Sequence, residues 1–195
     1  MGRDSMARGK GKRLVYVPED LIEDIIEASR REGEPLESFV EQALRLAVEF
    51  SRIGYGSKKM ALLFEVLQTH RIMGASFIPQ DILNYLTAKM YSVEREHVKA
   101  QWYESGRLYG KYLKEKFEKP LEALENLLRI GRWELSSVEM KREADNVKVR
   151  CISTQLTIEG AETLASFIEG AMNSLGYKTV NKECLKGIII LNFKP

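Results

Sequence analysis

The side chains whose types and spacing most clearly suggest a chemistry are the basic residues at the start of the chain. Five basic side chains face a single acid in the first thirteen residues, namely Arg3, Arg8, Lys10, Lys12 and Arg13 against Asp4. Guanidinium and ammonium groups on a short flexible segment attract the phosphates of a polyanion without reading its sequence. We therefore expect residues 1–11 to form a flexible basic arm, and Arg8, Lys10, Lys12 and Arg13 to be binding residues. A solvated tail is the alternative.

Metal-binding and catalytic side chains are scattered along the chain. His70, His97, Cys151 and Cys184 stand singly, without the paired spacing of a zinc site. No order of Ser, His and Asp and no pair of carboxylates stands out either. We therefore expect no catalytic residue, no metal site and no cofactor, and the protein is not expected to be an enzyme. The thiols are expected to be buried.

Residues 12–17 read as one short strand, and two amphipathic helices follow. Pro18 ends the strand because it has no N–H for a ladder, and it suits the first turn of a helix. Apolar residues then recur with a helical period as far as Gly33, and again after Pro35. A lone strand with two short helices cannot close a core. We expect an obligate homodimer through residues 12–50, in which the strands of two chains pair antiparallel above four helices.

The order and lengths of these parts resemble the ribbon-helix-helix family, to which the Arc and MetJ repressors belong. The likeness rests on the strand, the Pro-Glu-Asp-Leu entry, the glycine-containing turn and the second helix. It implies a ribbon in the major groove of double-stranded DNA, with alternate strand residues facing the bases. Val15 and Val17 would then face the helices. Lys12, Leu14 and Tyr16 would face DNA.

Composition sets the outer limits on the class of protein. The chain has 195 residues, 44% of them apolar, and a formal net charge of +2. This length suits one large or two small domains. No apolar run approaches the ~20 residues that span a bilayer, and the start lacks the apolar core of a signal peptide. We expect a cytoplasmic protein with no membrane partner. Met6 is an alternative start, which would make residues 1–5 non-native.

Glycines near residue 55 mark a boundary between a ribbon-helix-helix domain over residues 12–52 and a second domain over residues 58–195. In the second domain, helical spacing predicts helices over 58–71, from Pro79 to about 90, and over 92–117, 120–130 and 158–175. A period of two predicts strands over 133–142, 146–153, 177–183 and 188–193, the first two joined as a hairpin. The predicted fold class is α+β, an N-terminal ribbon-helix-helix dimerisation unit followed by a mixed helix and antiparallel-sheet domain.

Three motifs in the second domain resemble the vinyl-reductase-type sensor domain, whose fold is shared with subunits of the TRAPP tethering complex. They are Tyr103-Glu104-Ser105-Gly106 with Gly110, Phe167-Ile168-Glu169-Gly170 with Leu175-Gly176, and Glu183-Cys184 with Gly187. The resemblance implies an apolar pocket for a small hydrophobic ligand. The side chains where we would look for that pocket are Phe64, Met90, Trp102, Tyr103 and Tyr109, although the same residue types also suit an ordinary core.

Gly106 and Gly110 lie four residues apart, on one face of a predicted helix. This spacing favours close packing of two backbones over a role in ligand binding. Many members of the sensor family bind a metal through a further cysteine after the final glycine. Residues 188–191 are apolar in this chain, which is a second reason to expect no metal.

These features together predict a dimeric DNA-binding transcriptional regulator with a C-terminal sensor domain for a small, hydrophobic ligand. The alternative is a protein-interaction or tethering module in which the N-terminal unit only dimerises. The start of the second helix supports this alternative, because Pro35 lacks an N–H donor and the carboxylates of Glu34 and Glu37 repel phosphate. Salt-dependent binding to random DNA would separate the two functions.

Overall fold

A computed structural model describes residues 13–54, 56–143 and 146–195, and the fold of these residues is α+β. They form six helices: α1 (Glu19–Glu32), α2 (Leu36–Arg52), α3 (Ser57–Ile72), α4 (Gln80–Lys116), α5 (Pro120–Gly131) and α6 (Ile158–Ser174). They also form four strands: β1 (Ser137–Glu143), β2 (Asn146–Ile152), β3 (Lys178–Leu185) and β4 (Ile188–Lys194). The mixed fold class predicted from the sequence is confirmed. The chain divides into two compact units, residues 1–57 and 58–195.

The first unit consists of α1 and α2 preceded by an extended segment. Residues 13–18 form no helix or strand in the single chain, and Lys12 lies outside the described residues. The predicted strand therefore stays a prediction that concerns two chains. The carbonyl oxygen of Pro18 accepts the first helical hydrogen bond, from the Ile22 N–H at 3.1 Å. At its other end α1 stops at Gly33, whose φ of 71° is left-handed and suits glycine.

The second unit is a four-stranded sheet with helices packed against one face. The strand order is β1-β2-β4-β3, and every neighbouring pair is antiparallel. Alternate residues of β2 and β4 are buried, so that Val149 pairs with Leu191 and both side chains lie in the core. On the helical side α6 contributes Leu164 and Ile168 to the same core. This unit thus closes a hydrophobic core with its own residues.

The predicted division of the segment after Pro79 into two helices is confirmed. α4 consists of two helical parts joined at a kink at Glu94, whose φ is −136° and ψ is 50°, so that the break lies slightly after the predicted boundary near residue 91. The start of the first strand differs from the prediction. β1 begins at Ser137 and not at Trp133, because a turn comes first, in which the Leu135 N–H donates to the Arg132 carbonyl oxygen at 3.0 Å.

Helices α4 and α6 touch backbone to backbone through glycines. A Cβ atom on Gly106 would overlap the backbone of Phe167, and a Cβ atom on Gly170 would overlap the carbonyl oxygen of Tyr103. The close approach predicted for Gly106 and Gly110 is therefore confirmed. Since the backbone atoms of a packed helix cannot move aside singly, these glycines set the distance between the two helices.

We predict that Gly106→Ala lowers the free energy of unfolding of the second unit by about 2 to 3 kcal/mol, because the added methyl group forces the two helices apart. Denaturant unfolding followed by circular dichroism measures this loss. Gly160→Ala in α6 is the control, since the three atoms nearest to its added Cβ belong to side chains and not to the backbone, the closest being a Leu156 carbon at 3.2 Å. Equal stability of the two variants would contradict the proposed role of the glycine contact.

Candidate functional site

The residues predicted to bind DNA lie at the start of the first unit. Arg8, Lys10 and Lys12 are outside the described residues. Arg13, Leu14 and Tyr16 are within them, in the extended segment before α1, and all three are exposed. Leu14 is 96% exposed and Tyr16 is 99% exposed. Two large apolar side chains in full contact with water form a surface that is available to a partner.

The other side of the extended segment is also uncovered. Val15 and Val17 alternate with Leu14 and Tyr16 along the segment, and Val15 is 75% exposed. In a single chain neither side of the segment is therefore packed. A segment of this kind is packed only when another surface covers it.

Helices α1 and α2 share this lack of burial. Among the described residues of the first unit the only buried side chain is that of Ser29, whose hydroxyl donates to the Ile26 carbonyl oxygen at 3.0 Å. Large apolar side chains of both helices are instead exposed, namely Leu21, Ile22, Leu36, Leu44, Leu46 and Val48. The two helices are amphipathic by sequence but have no core of their own in one chain. We call this exposed apolar surface of α1 and α2 the half-core, because it lacks the packing partner that would make it a core.

The five side chains proposed for a ligand pocket are not equivalent in the structure. Trp102 and Tyr109 both lie edge-on to Phe167, with ring centroids 6.5 and 5.2 Å away. The hydroxyl of Tyr103 lies on the same side of α4 and accepts a hydrogen bond from the Asn173 side-chain amide at 3.1 Å. Phe64 on α3 and Met90 on α4 are exposed. The structure thus brings three of the five to the α4–α6 contact and leaves two at the surface.

Two depressions in the described part of the second unit are lined by other residues. The larger is an open groove of about 440 Å³ at the end of α6 and the start of β3, lined by Glu169, Asn173, Gly176, Tyr177, Lys178 and Thr179. The smaller is a space of about 10 Å³ between α3, α4 and α5. In the groove, the side-chain oxygens of Asn173 and Thr179 are buried without a hydrogen-bond partner. The groove contains charged and amide side chains and none of the five side chains predicted to line the apolar pocket.

A partly buried cluster around His70 was not anticipated from the sequence. The Nδ1 atom of His70 lies 3.2 Å from the hydroxyl of Tyr109, and its Nε2 atom is buried without a partner. Arg132 pairs with Glu134, and the two side chains are only 17% and 10% exposed. The guanidinium group of Arg132 also lies 5.7 Å from the centre of the Trp102 ring. The residues are far apart in sequence, so no spacing signal could have grouped them.

Burial in this part of the core favours the neutral forms of His70 and Cys151. Burial and then the nearby charge of Arg132 lower the pKa of His70 below its usual 6.5. Burial raises the pKa of the Cys151 thiol to about 12. A protonated thiol is a poor nucleophile, and the neutral imidazole is engaged by Tyr109. The arrangement is therefore suited to holding α3 against the core.

A second cluster joins α4 to the start of α6. The carboxylate of Glu162 accepts hydrogen bonds from the Tyr91 hydroxyl and from Arg95, the latter at 2.9 and 2.7 Å. Burial alone would raise the pKa of Glu162, but the hydrogen bonds from Tyr91 and Arg95 outweigh it and lower that pKa. Burial and the bond to Glu162 raise the pKa of Tyr91 to about 12. The cluster thus joins α4 to α6 through an ion pair and hydrogen bonds.

Comparison with known proteins gives no assignment: no protein-family model matches the chain, and no curated protein matches it. Within the described residues, no group of three or more His, Cys, Asp or Glu side chains could hold a metal ion. None of the helices in that part of the chain is long and apolar enough to cross a membrane.

We predict that the second unit loses stability as the pH falls below about 6.5, because the unfolded chain then binds a proton at His70 that the folded chain resists. This contribution is fully present above 6.5 and is lost as the pH falls through the lower pKa of the folded state. Denaturant unfolding at pH 7.5 and 5.5 measures it.

The variant His70→Gln should show a smaller loss over the same pH interval than the wild type. The matched control is His97→Gln, because His97 is exposed on α4. An identical pH dependence of all three proteins would exclude His70 as the group responsible.

Proposed function

We propose that this protein is a dimeric DNA-binding transcriptional regulator whose C-terminal unit senses a small hydrophobic ligand. The proposal rests on one observation. In the first unit, the two amphipathic helices and the extended segment leave large apolar side chains exposed. A basic arm precedes this unit. A second copy of the chain would bury the exposed apolar side chains of the half-core. The basic side chains of the arm would attract the phosphates of a polyanion.

Burial of the half-core supplies the free energy for pairing. A fully buried Val, Leu or Ile side chain contributes about 1.5 to 3 kcal/mol relative to an exposed one. Leu36, Leu44 and Val48 recur at helical spacing on α2 and are all exposed. Together with α1 and the extended segment of each chain, they are sufficient to offset the roughly 4 to 15 kcal/mol that association costs in lost freedom of motion.

Pairing of the extended segments would also create the surface that contacts DNA. A two-stranded ribbon fits the major groove, and its outward side chains reach base edges. On this proposal Lys12 and Tyr16 touch the groove, Leu14 offers an apolar contact such as one to a thymine methyl group, and Arg8, Lys10 and Arg13 hold phosphates. The phosphate contacts supply affinity that weakens as salt concentration rises.

The second unit is the proposed sensor. It closes its own core, so it can bind a ligand without depending on the first unit for its fold. The aromatic residues at the α4–α6 contact, Trp102, Tyr103 and Tyr109, are where an apolar ligand would enter if the contact opened. A ligand changes the affinity for DNA only if it binds one arrangement of the dimer better than another.

A protein-interaction or tethering module is the second candidate, and the start of α2 favours it. Helix N-termini often bind phosphate through free N–H groups. Here Pro35 precedes α2 and Glu37 lies in its first turn, which removes a donor and adds a negative charge. If this function is the true one, affinity for random DNA is weak at 50 mM and 200 mM salt alike.

We predict that Leu44→Asp separates the paired first units, because the new carboxylate would have to be buried in the paired helices. Amide hydrogen exchange of residues 14–17 in the full-length protein measures the loss of this pairing, and it does so even where the second units associate. Gln42→Asp is the control, because Gln42 is exposed and lies on a different side of α2 from Leu44. The side-chain amide of Gln42 donates a hydrogen bond to the Glu34 carboxylate, which precedes α2. A Leu44→Asp protein whose residues 14–17 exchange as slowly as in the wild type would show that this surface does not hold the first units together.

We predict that Lys12→Ala and Tyr16→Ala each weaken DNA binding about ten-fold, or about 1.4 kcal/mol, while the dimer stays intact. Fluorescence anisotropy with labelled duplex DNA measures the affinity. Arg31→Ala serves as the control, because Arg31 is an exposed cation of the same unit that pairs with Glu27 within α1. Unchanged affinity of both variants would refute the proposed binding surface.

A further inference from the structure

The first half of α4 has most of its large apolar side chains on the outside. From Gln80 to Val93 five of them are exposed, namely Ile82, Tyr85, Leu86, Met90 and Val93, whereas Leu83 is half-buried. They recur at spacings of three, one, four and three residues, which places them along one side of the helix. We call this surface the α4 stripe. Its side chains are about half exposed or more, so the rest of the described second unit does not cover it.

The inner side of the same half-helix is largely polar. Asn84 donates to the Gln155 carbonyl oxygen at 3.1 Å, and Tyr91 donates to Glu162. Thr87, between them, is buried. A surface helix normally turns its apolar side to the core and its polar side to water. The reversed arrangement indicates that the α4 stripe is itself an interface.

We propose that the α4 stripe packs antiparallel against the α4 stripe of a second copy of this chain. An interface between two identical surfaces must be self-complementary, so that residue i meets residue j and residue j meets residue i. A two-fold axis beside Tyr85 and Leu86 satisfies this condition. It brings Ile82 beside the partner's Met90, and Ile78, just before the helix, opposite the partner's Val93.

Charge supports the same pairing. Residues 80–93 contain two charged side chains, Asp81 and Lys89, which have opposite sign. In the antiparallel pairing each Asp81 lies beside the partner's Lys89, whereas a parallel pairing in register would set like charges side by side. Within its own chain the Lys89 ammonium group lies 5.9 Å from the centre of the Tyr85 ring, at the edge of the stripe.

The available area is sufficient for a specific contact. An aromatic side chain such as that of Tyr85 buries roughly 150 to 250 Å², and large aliphatic side chains lie near the lower end of this range. Five of them at half exposure or more therefore offer about 500 Å² per chain, or about 1,000 Å² across a symmetric pair, which is the lower limit for a biological interface. This contact does not depend on the pairing of the first units, and a bond formed within α4 reports on it alone.

Disulfide cross-linking of the full-length protein tests the proposal. Leu86→Cys places a thiol beside the two-fold axis, where the two Cα atoms can come within the ~7 Å that a disulfide requires. Leu108→Cys is a matched control, because Leu108 lies on the same helix and is 53% exposed against 48% for Leu86. The wild type, which keeps Cys151 and Cys184, gives the background.

Under mild oxidation we expect most of the Leu86→Cys protein to become a covalent dimer, at a yield roughly ten-fold above that of Leu108→Cys. Equal yields for the two variants would overturn the proposal. A Leu86→Cys thiol that neither cross-links nor reacts with a maleimide would show that another part of the chain covers the stripe, and would overturn it as well.

The orientation of the two helices has its own test. Ile82→Cys and Met90→Cys proteins should each cross-link poorly alone and efficiently when mixed, because only the antiparallel pairing brings these two positions together. Efficient cross-linking of each variant with itself would exclude this pairing. Since neither thiol lies in the first unit, failure here leaves the proposed ribbon pairing and DNA binding untouched.

Discussion

The constraint on which this account depends is that the first unit cannot bury its own apolar side chains. Two helices of 14 and 17 residues with an extended segment bury only Ser29 among the described residues. Removal of apolar surface from water is the main favourable term in folding, so a unit that leaves Leu14, Tyr16 and Leu44 exposed is incomplete. The two helices of the first unit and the turn at Gly33 between them are nevertheless regular. On the proposed dimer, association and folding of this unit are one process.

The second unit, in contrast, buries its apolar side chains within one chain. Its sheet and α6 bury Val149, Leu191 and Ile168 completely, and the glycines of α4 and α6 let the two helix backbones touch. Helix α4 changes character along its length. Its second half packs tightly on α6 through small residues, whereas its first half is tied down by polar contacts and faces outward with apolar ones. The second half of α4 therefore contributes to the core, and the first half exposes an apolar surface.

Sequence reasoning succeeded where the signal is local. Helical period, a period of two in the strands and the four-residue spacing of Gly106 and Gly110 predicted most elements and the close helix contact. It failed for contacts between distant residues. His70 meets Tyr109 across 39 positions and Tyr91 meets Glu162 across 71, and no pattern in the chain marks such pairs. Residue type alone likewise could not separate exposed Phe64 and Met90 from packed Trp102.

The most direct test of the central claim is amide hydrogen exchange in the segment from Leu14 to Val17. If two chains pair as an antiparallel ribbon, alternate amides in this segment donate hydrogen bonds across it and exchange slowly. We predict alternating protection that disappears on dilution below the dissociation constant of the dimer. Exchange of all four amides at the rate of an unstructured peptide, at every protein concentration, would contradict the account.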